Sequence, residues 1–190
     1  MTLLILALLG PTFRAAAAPV SVRDFGAKGD DKTDDTDAFV AALRSSRNIY
    51  VPEGVYQIGT IVLPDATWLH GAGRSSVIRF VAGKDSKAAF HIGTGCRVSD
   101  LRLTGTEPFD NWITGKGSMQ PTMVWAEGKR DVEIDRVTID DYRHNGIWLN
   151  GCSDARITNC VLEKLSRQLW RPSGWSTQPM DARSVQGSRR

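Results

Sequence analysis

The sequence predicts an all-β fold, a parallel β-solenoid closed at its amino end by a short helix. Three observations predict it. First, apolar pairs recur after 23 residues: Val132 and Ile134 return as Ala155 and Ile157, Val137 and Ile139 as Cys160 and Leu162, and Val124 and Ala126 as Ile147 and Leu149. Second, within each pair the apolar residues alternate with others, the period of a half-buried strand. Turn formers cluster between the pairs, at residues 135–136, 140–145 and 150–154. Three short strands and three turns per repeat describe one coil, which must stack on its neighbours to bury its inward side chains. Third, an acidic run with a helical apolar pattern stands at the start, where an open solenoid end needs a cover.

The elements follow in chain order. Residues 21–25 read as a first strand closed by Gly26. Phe39, Ala42 and Leu43 then repeat at i, i+3, i+4, which predicts an amphipathic helix over 34–46 capped by Thr33 or Asp34. Asp34, Asp35 and Asp37 favour the positive end of the helix dipole. The run lacks the ligand alternation and central glycine of a calcium loop, so capping is the expectation.

Residues 48–58 read as two strands joined by a Pro-Glu-Gly turn, with further strands at 61–63, 68–69, 76–81 and 88–92 and a tight turn at 70–73. From Cys96 the repeat emerges: Val98, Leu101 and Leu103 match Ile134, Val137 and Ile139 at a spacing of 36. That coil carries 13 extra residues between Leu103 and Val124, rich in Gly, Pro and Thr, and therefore a surface loop. The domain plan is a signal peptide over 1–17, an N-terminal cap over 18–60, coils over 61–165, and a non-repetitive tail over 166–190 whose composition suggests truncation or a frame shift.

Composition excludes several classes. The net charge of +3 arises in the tail, where five arginines and one acid follow Ser166. The remainder holds 19 basic and 20 acidic residues, too balanced for a groove that tracks phosphates, so nucleic acid is not an expected partner. The apolar run at 3–9 is far short of the ~20 residues that span a bilayer. With Ala15 to Ala18 after it, the run fits a signal peptide cut after Ala17, which predicts a secreted or periplasmic protein. Cys96, Cys152 and Cys160 permit at most one internal disulfide, and Cys160 falls in an inward stack as a small hydrophobe.

One surface stands out. Trp125 and Trp148 lie one coil apart between inward neighbours, so both are expected to point outward at the same strand position, ~4.8 Å apart. Indoles suit the C–H faces of sugar rings, and the turns entering that strand carry Trp112 in one coil and Asp140, Asp141, Tyr142, Arg143 and His144 in the next. Trp125, Trp148, Trp112 and Arg143 are therefore the candidate saccharide-binding residues, with packing of the indoles under the loop as the competing account. Asp140, Asp141 and His144 are the candidate acid/base cluster, against the plainer reading of a solvated turn. His70 and His91 read as structural, and no residue set has metal-ligand spacing.

The segments VRDFGAKGDDKTDDTDAF, IYVPEGVYQIG and LHGAGRSSVI, in that order, with GIWLNGCSDARITNC later, resemble the pectate-lyase-like superfamily over about residues 20–165. These are right-handed, single-stranded parallel β-helices: polygalacturonases, rhamnogalacturonases, pectate lyases and phage tailspike depolymerases. The resemblance implies an exported protein that cleaves pectin-type or other acidic polysaccharide in full length, with no cofactor unless β-elimination brings Ca²⁺. It does not supply an active site. Where polygalacturonases carry Asn-Thr-Asp-Gly-x-Asp, this chain has His144-Asn145-Gly146-Ile147-Trp148, so Asn145 and Trp148 stand in place of the two acids that glycoside hydrolysis needs. The later Asp-Asp, Gly-His-Gly and Arg-x-Lys elements are not found in the sequence. The catalytic coils are thus expected outside it, leaving a non-catalytic carbohydrate-binding or adhesion β-helix and an inactive N-terminal fragment as the alternatives.

Overall fold

The computed structural model describes residues 18–83, 86–106, 122–141, 145–163 and 185–186. They form a right-handed single-stranded parallel β-helix with a capping helix. The chain enters through β1 (Val20–Ser21) and β2 (Asp30–Asp34), then α1 (Thr36–Ser45). The coils follow as β3 (Asn48–Val51), β4 (Gly54–Ile58) and β5 (Ile61–Leu63), then β6 (Trp68–Gly71), β7 (Ser76–Val81) and β8 (Ala88–Ile92). Next come β9 (Arg97–Thr106) with β10 (Thr122–Glu127), and β11 (Glu133–Ile139) with β12 (Asn145–Asn150). β13 (Arg156–Thr158) and β14 (Val161–Leu162) close the last described coil.

The strands build three faces. The first runs β1-β3-β6, the leading half of β9, the leading half of β11, then β13; the second runs β2-β4-β7, the trailing halves of β9 and β11, then β14. β5-β8-β10-β12 form the third. The bend between first and second faces falls on Asp100, Arg136 and Asn159, whose φ values of 56°, 51° and 53° are left-handed. A single left-handed residue turns a strand sharply without ending its ladder, which is why β9 and β11 continue through the corner.

The register bears out the repeat. Ile134 pairs with Ile157, Ile139 with Leu162, Val124 with Ile147, Trp125 with Trp148 and Ala126 with Leu149. The coil offset by 36 is equally aligned, with Val98, Leu101 and Leu103 opposite Ile134, Val137 and Ile139. The inward residues form one continuous core from Val22 to Cys160. Cys160 is buried in it, and all three cysteines are free. Burial holds the Cys96 and Cys160 thiols above their ordinary values, which disfavours the reactive thiolate.

Three local expectations are corrected. Residues 21–25 are not a strand: Ser21 caps a 3₁₀ turn over Val22–Phe25, and Asp24 returns the bond to the Ser21 N–H. A polar side chain that satisfies backbone donors favours a turn over extension. The turn expected at 70–73 begins later, because His70 and Gly71 complete β6 and only Gly73–Ser75 form the 3₁₀ turn. Gly71 is required there by close approach: a Cβ would lie 2.6 Å from Leu101 Cδ2 and from Ser76 Cβ. Helix α1 starts at Thr36, two residues late, because Asp34 and Asp35 have other work. Asp34 accepts from the Thr36 N–H at 2.9 Å, while buried Asp35 accepts from the Lys28 and Gly29 N–H groups at 2.7 and 3.0 Å. Thr33 does not cap the helix; it bonds to Asp30. The helix buries Phe39, Ala42 and Leu43, with Phe39 edge-on to Tyr56 at 5.8 Å between ring centroids.

The tail contributes one described element, β15 (Val185–Gln186), which runs antiparallel to β13 where a further coil would run parallel. The signal peptide expected over 1–17, all of residues 107–121 and most of the tail lie outside the described residues.

Candidate functional site

The third face presents one outward column. Register places Val62 beside His91, His91 beside Trp125, and Trp125 beside Trp148, one residue per rung. The two indoles are stacked, with centroids 5.1 Å apart and planes within 4°, and the His91 ring lies 5.9 Å from Trp125. The parallel ladder imposes this: identical side chains at the same position of successive coils must sit one strand spacing apart, close to ring-stacking distance.

The stack qualifies the expected platform. Trp125 has His91 on one side and Trp148 on the other and is only 8% exposed, whereas Val62 is 65% exposed and Trp148 half-buried. A ligand crossing this column meets ring edges, and Trp148 offers more indole than Trp125. Burial, reinforced by the charge of Lys87, holds His91 below its ordinary value, so the imidazole is neutral near pH 7 and able both to donate and to accept. Two residues along the same outward face, Asn150 Nδ2 donates to Glu127 Oε1 of the preceding coil at 3.4 Å.

The sequence alone gives His91 a structural role. Its link to Trp125 spans 34 residues, which a 23-residue repeat does not reveal, and only the strand register exposes it. The structural reading of His70 fits its surroundings: its Nε2 bonds Asn48 Oδ1 at 3.0 Å and its ring stacks on Trp68 at 4.2 Å. Trp68 is fixed further by Nε1–H donation to Ser99 Oγ at 3.1 Å and by the Arg97 guanidinium 5.2 Å from its ring centre.

The candidate acid/base cluster is placed in part. Asp140 is buried on the second face, where both carboxylate oxygens accept from Arg102 Nε at 3.0 Å. Asp141 is exposed at a left-handed turn, φ 48°, with Oδ2 3.9 Å from Arg102 Nη2. Trp112, Arg143 and His144 lie outside the described residues.

The densest polar cluster of described residues lies on the first face. Asp135 Oδ1 accepts from Thr158 Oγ1 at 2.7 Å and Asn159 Nδ2 at 2.9 Å, and its other oxygen pairs with Arg136 and, at 3.6 Å, with Arg97. Burial opposes its ionisation, but those hydrogen bonds and the two guanidinium charges outweigh it and hold the carboxyl below the usual range. Arg136 also grips Asp100 through Nε and Nη2, at 2.6 and 2.9 Å. This network ties three coils together and is structural.

The calcium that a lyase reading implies does not fit the described third face. Such an ion takes about six to eight oxygens, and the described outward side chains of this face supply a single carboxylate, Glu127. Among the described residues no group of three or more His, Cys, Asp or Glu is arranged to hold a metal, and no helix is long and apolar enough to cross a membrane.

Bent corners, a capped amino end and an aromatic column on the third face define a pectate-lyase-like β-helix. The family described as rhamnogalacturonase A/epimerase, pectate lyase-like, matches residues 19–174, and the chain belongs to it. It is similar to alginate lyase 7 of Azotobacter vinelandii, 38% identical over 108 residues covering 46% of this chain and 13% of the relative. It is also similar to mannuronan C5-epimerase AlgE6 of the same organism, 29% identical over 145 residues covering 63% of this chain and 16% of the relative. The solved pre-mature gene product 12 of bacteriophage phi29 superposes with a TM-score of 0.61 at 27% identity, over 74% of this chain and 22% of that one. The chain thus spans about a sixth or less of the two curated relatives.

Proposed function

We propose that this chain belongs to an exported protein that binds an acidic polysaccharide along the third face and, as a whole protein, cleaves its glycosidic bonds. The observation that carries the reading is the outward column of His91, Trp125 and Trp148 on one face of a β-helix of this family. The half-buried Trp148 indole and a neutral imidazole suit a polymer with apolar C–H patches between hydroxyls. The names of two relatives support an acidic glycan, since alginate and mannuronan are polymers of uronic acid. Export rests on the amino-terminal apolar run and small residues; the family match begins at residue 19, just past the expected cut.

A second reading, glycan binding without cleavage, draws support from the same face. Its described outward side chains include one carboxylate, Glu127, so the described part of that face assembles no acid pair of the kind hydrolysis uses.

Incubation with polymannuronate and with polygalacturonate separates these readings. Ultraviolet-absorbing unsaturated ends signal β-elimination, and new reducing ends without them signal hydrolysis. Retention in affinity gels with neither product supports binding alone, and neither retention nor product refutes both. Trp148→Ala is expected to weaken retention about two- to twelvefold, as loss of an aromatic contact of ~0.5–1.5 kcal/mol implies. Amino-terminal sequencing of the exported protein checks for a start at Ala18.

A further inference from the structure

We infer that Asn150 is a site of spontaneous covalent modification, a deamidation directed to it rather than to Asn145 by the way the last described coil is built. Both asparagines precede glycine, at Asn145-Gly146 and Asn150-Gly151, so their local chemistry is the same. Their settings differ. Asn145 opens β12 and the glycine after it, Gly146, is buried within the strand, whose register to β10 runs from Thr122 opposite Asn145 through Val124 opposite Ile147. Asn150 ends the strand, and Gly151 is exposed, one residue past the final ladder pair, Glu127 opposite Asn150.

The fold itself explains the glycine. Gly128 and Gly151 occupy the same position in successive coils with φ values of 62° and 60°, a left-handed turn that other residues adopt at a cost. The earlier coil precedes its glycine with Glu127 and the later one with Asn150. The turn requirement therefore sets a side-chain amide next to a backbone nitrogen that no Cβ shields.

The chemistry balances without an oxidant or reductant. The deprotonated Gly151 nitrogen attacks Cγ of Asn150, forming an N–C bond and closing a succinimide ring. Nδ2 departs as ammonia, carrying a proton in place of the one Gly151 lost. Water then adds at either ring carbonyl and breaks that C–N bond, leaving aspartate or isoaspartate. The product faces Glu127, to which Asn150 Nδ2 now donates at 3.4 Å, so an attractive contact between coils becomes a repulsion of like charges. If the glycan reading above holds, the same change adds a negative charge to the face that an acidic polymer approaches; the covalent step stands independently of it.

The test is peptide mapping of the intact protein aged at mildly alkaline pH. The tryptic peptide between Arg143 and Arg156 carries both asparagines, and fragment ions assign a gain of about one dalton to either. Conversion in the folded protein is expected to be several-fold faster at Asn150 than at Asn145, with the gap closing in denaturant, where the two dipeptides are equally free. Asn150→Gln is expected to abolish the gain at that position and leave slow conversion at Asn145. Equal rates in the folded protein, or conversion led by Asn145, overturn the inference. So does an Asn150 that stays intact in the folded protein while the unfolded chain reacts.

Discussion

Asp135→Asn tests how successive coils are held together. The carboxylate is 5% exposed and joins β9, β11 and β13 through Arg97, Arg136, Thr158 and Asn159. Asparagine has the same shape and keeps one acceptor oxygen, so the bonds from Thr158 and Asn159 survive. What is lost is the negative charge, with an amide NH₂ turned toward two guanidinium groups. A hydrogen bond to a charged group contributes about 1.5–3 kcal/mol. Arg136 keeps its forked contact with Asp100, and Arg97 sits at a looser 3.6 Å, so the net loss is expected near the lower end, about 2 kcal/mol. For a domain of this size that lowers Tm by roughly 4–8 °C. Asp135→Ala also strands Thr158 and Asn159 and is expected to cost about 4 kcal/mol. Thermal unfolding followed by circular dichroism measures the loss, and amide exchange locates it: protection should fall first in Arg156–Thr158 and Val161–Leu162. A stability change below about 0.5 kcal/mol for the asparagine variant would falsify the view that this carboxylate couples the coils.

The remaining expectations concern backbone fit and pH. Gly71→Ala brings a Cβ within 2.7 Å of the Asp100 carbonyl oxygen as well as of two side chains, and is expected to cost about 1–3 kcal/mol by denaturant titration; an unchanged midpoint contradicts the packing at that corner. Ala66→Gly should act in the opposite sense. Ala66 is exposed at φ 57°, a conformation that costs an ordinary residue about 1–2 kcal/mol and glycine little, so after the extra unfolded-state entropy a gain of roughly 0.5 kcal/mol remains. Stability is expected to fall on the acid side in two stages. Burial holds His70 and His91 below their ordinary value, so the unfolded chain takes up protons first as pH drops below about 6.5. The Arg136 contact lowers Asp100, and the hydrogen bonds described above lower Asp135 despite its burial. Their contribution is complete above about pH 4 and is lost as pH falls through their depressed folded-state values. Melting curves across this range should slope gently, then steeply, and replacing both histidines by glutamine should flatten only the upper stage. A Tm constant from neutral pH down to about 5 rules out the histidine component.

The sequence carried the fold wherever coil length was regular. Pairs such as Ile134 with Ile157 and Trp125 with Trp148 were legible because 23 residues separate them at every strand. The amino-terminal coils were legible only as separate strands. Asn48, Trp68, Arg97 and Glu133 share a register column at spacings of 20, 29 and 36, and an irregular period hides which side chains become neighbours. The irregular period hides the place of His91 beside the tryptophans and of Arg102 beside Asp140, 38 residues away. The errors at 21–25 and 70–73 share another cause, in that side-chain bonds from Ser21 and Asp24, and close approach at Gly71, decide those turns, and neither leaves a periodic trace. The candidate site is half legible: the side-by-side indole pair follows from spacing, whereas the near-parallel ring planes and the burial of Trp125 do not.

The unequal spacings have a consequence for how such a molecule changes. Leu103 and Val124 stand 21 residues apart and their register partners in the next coil, Ile139 and Ile147, only 8 apart, yet Val98, Leu101 and Leu103 meet Ile134, Val137 and Ile139 in unbroken register. Register is thus indifferent to how many residues join one face to the next. New recognition segments can be grafted there, or old ones trimmed, while the scaffold beneath keeps its geometry.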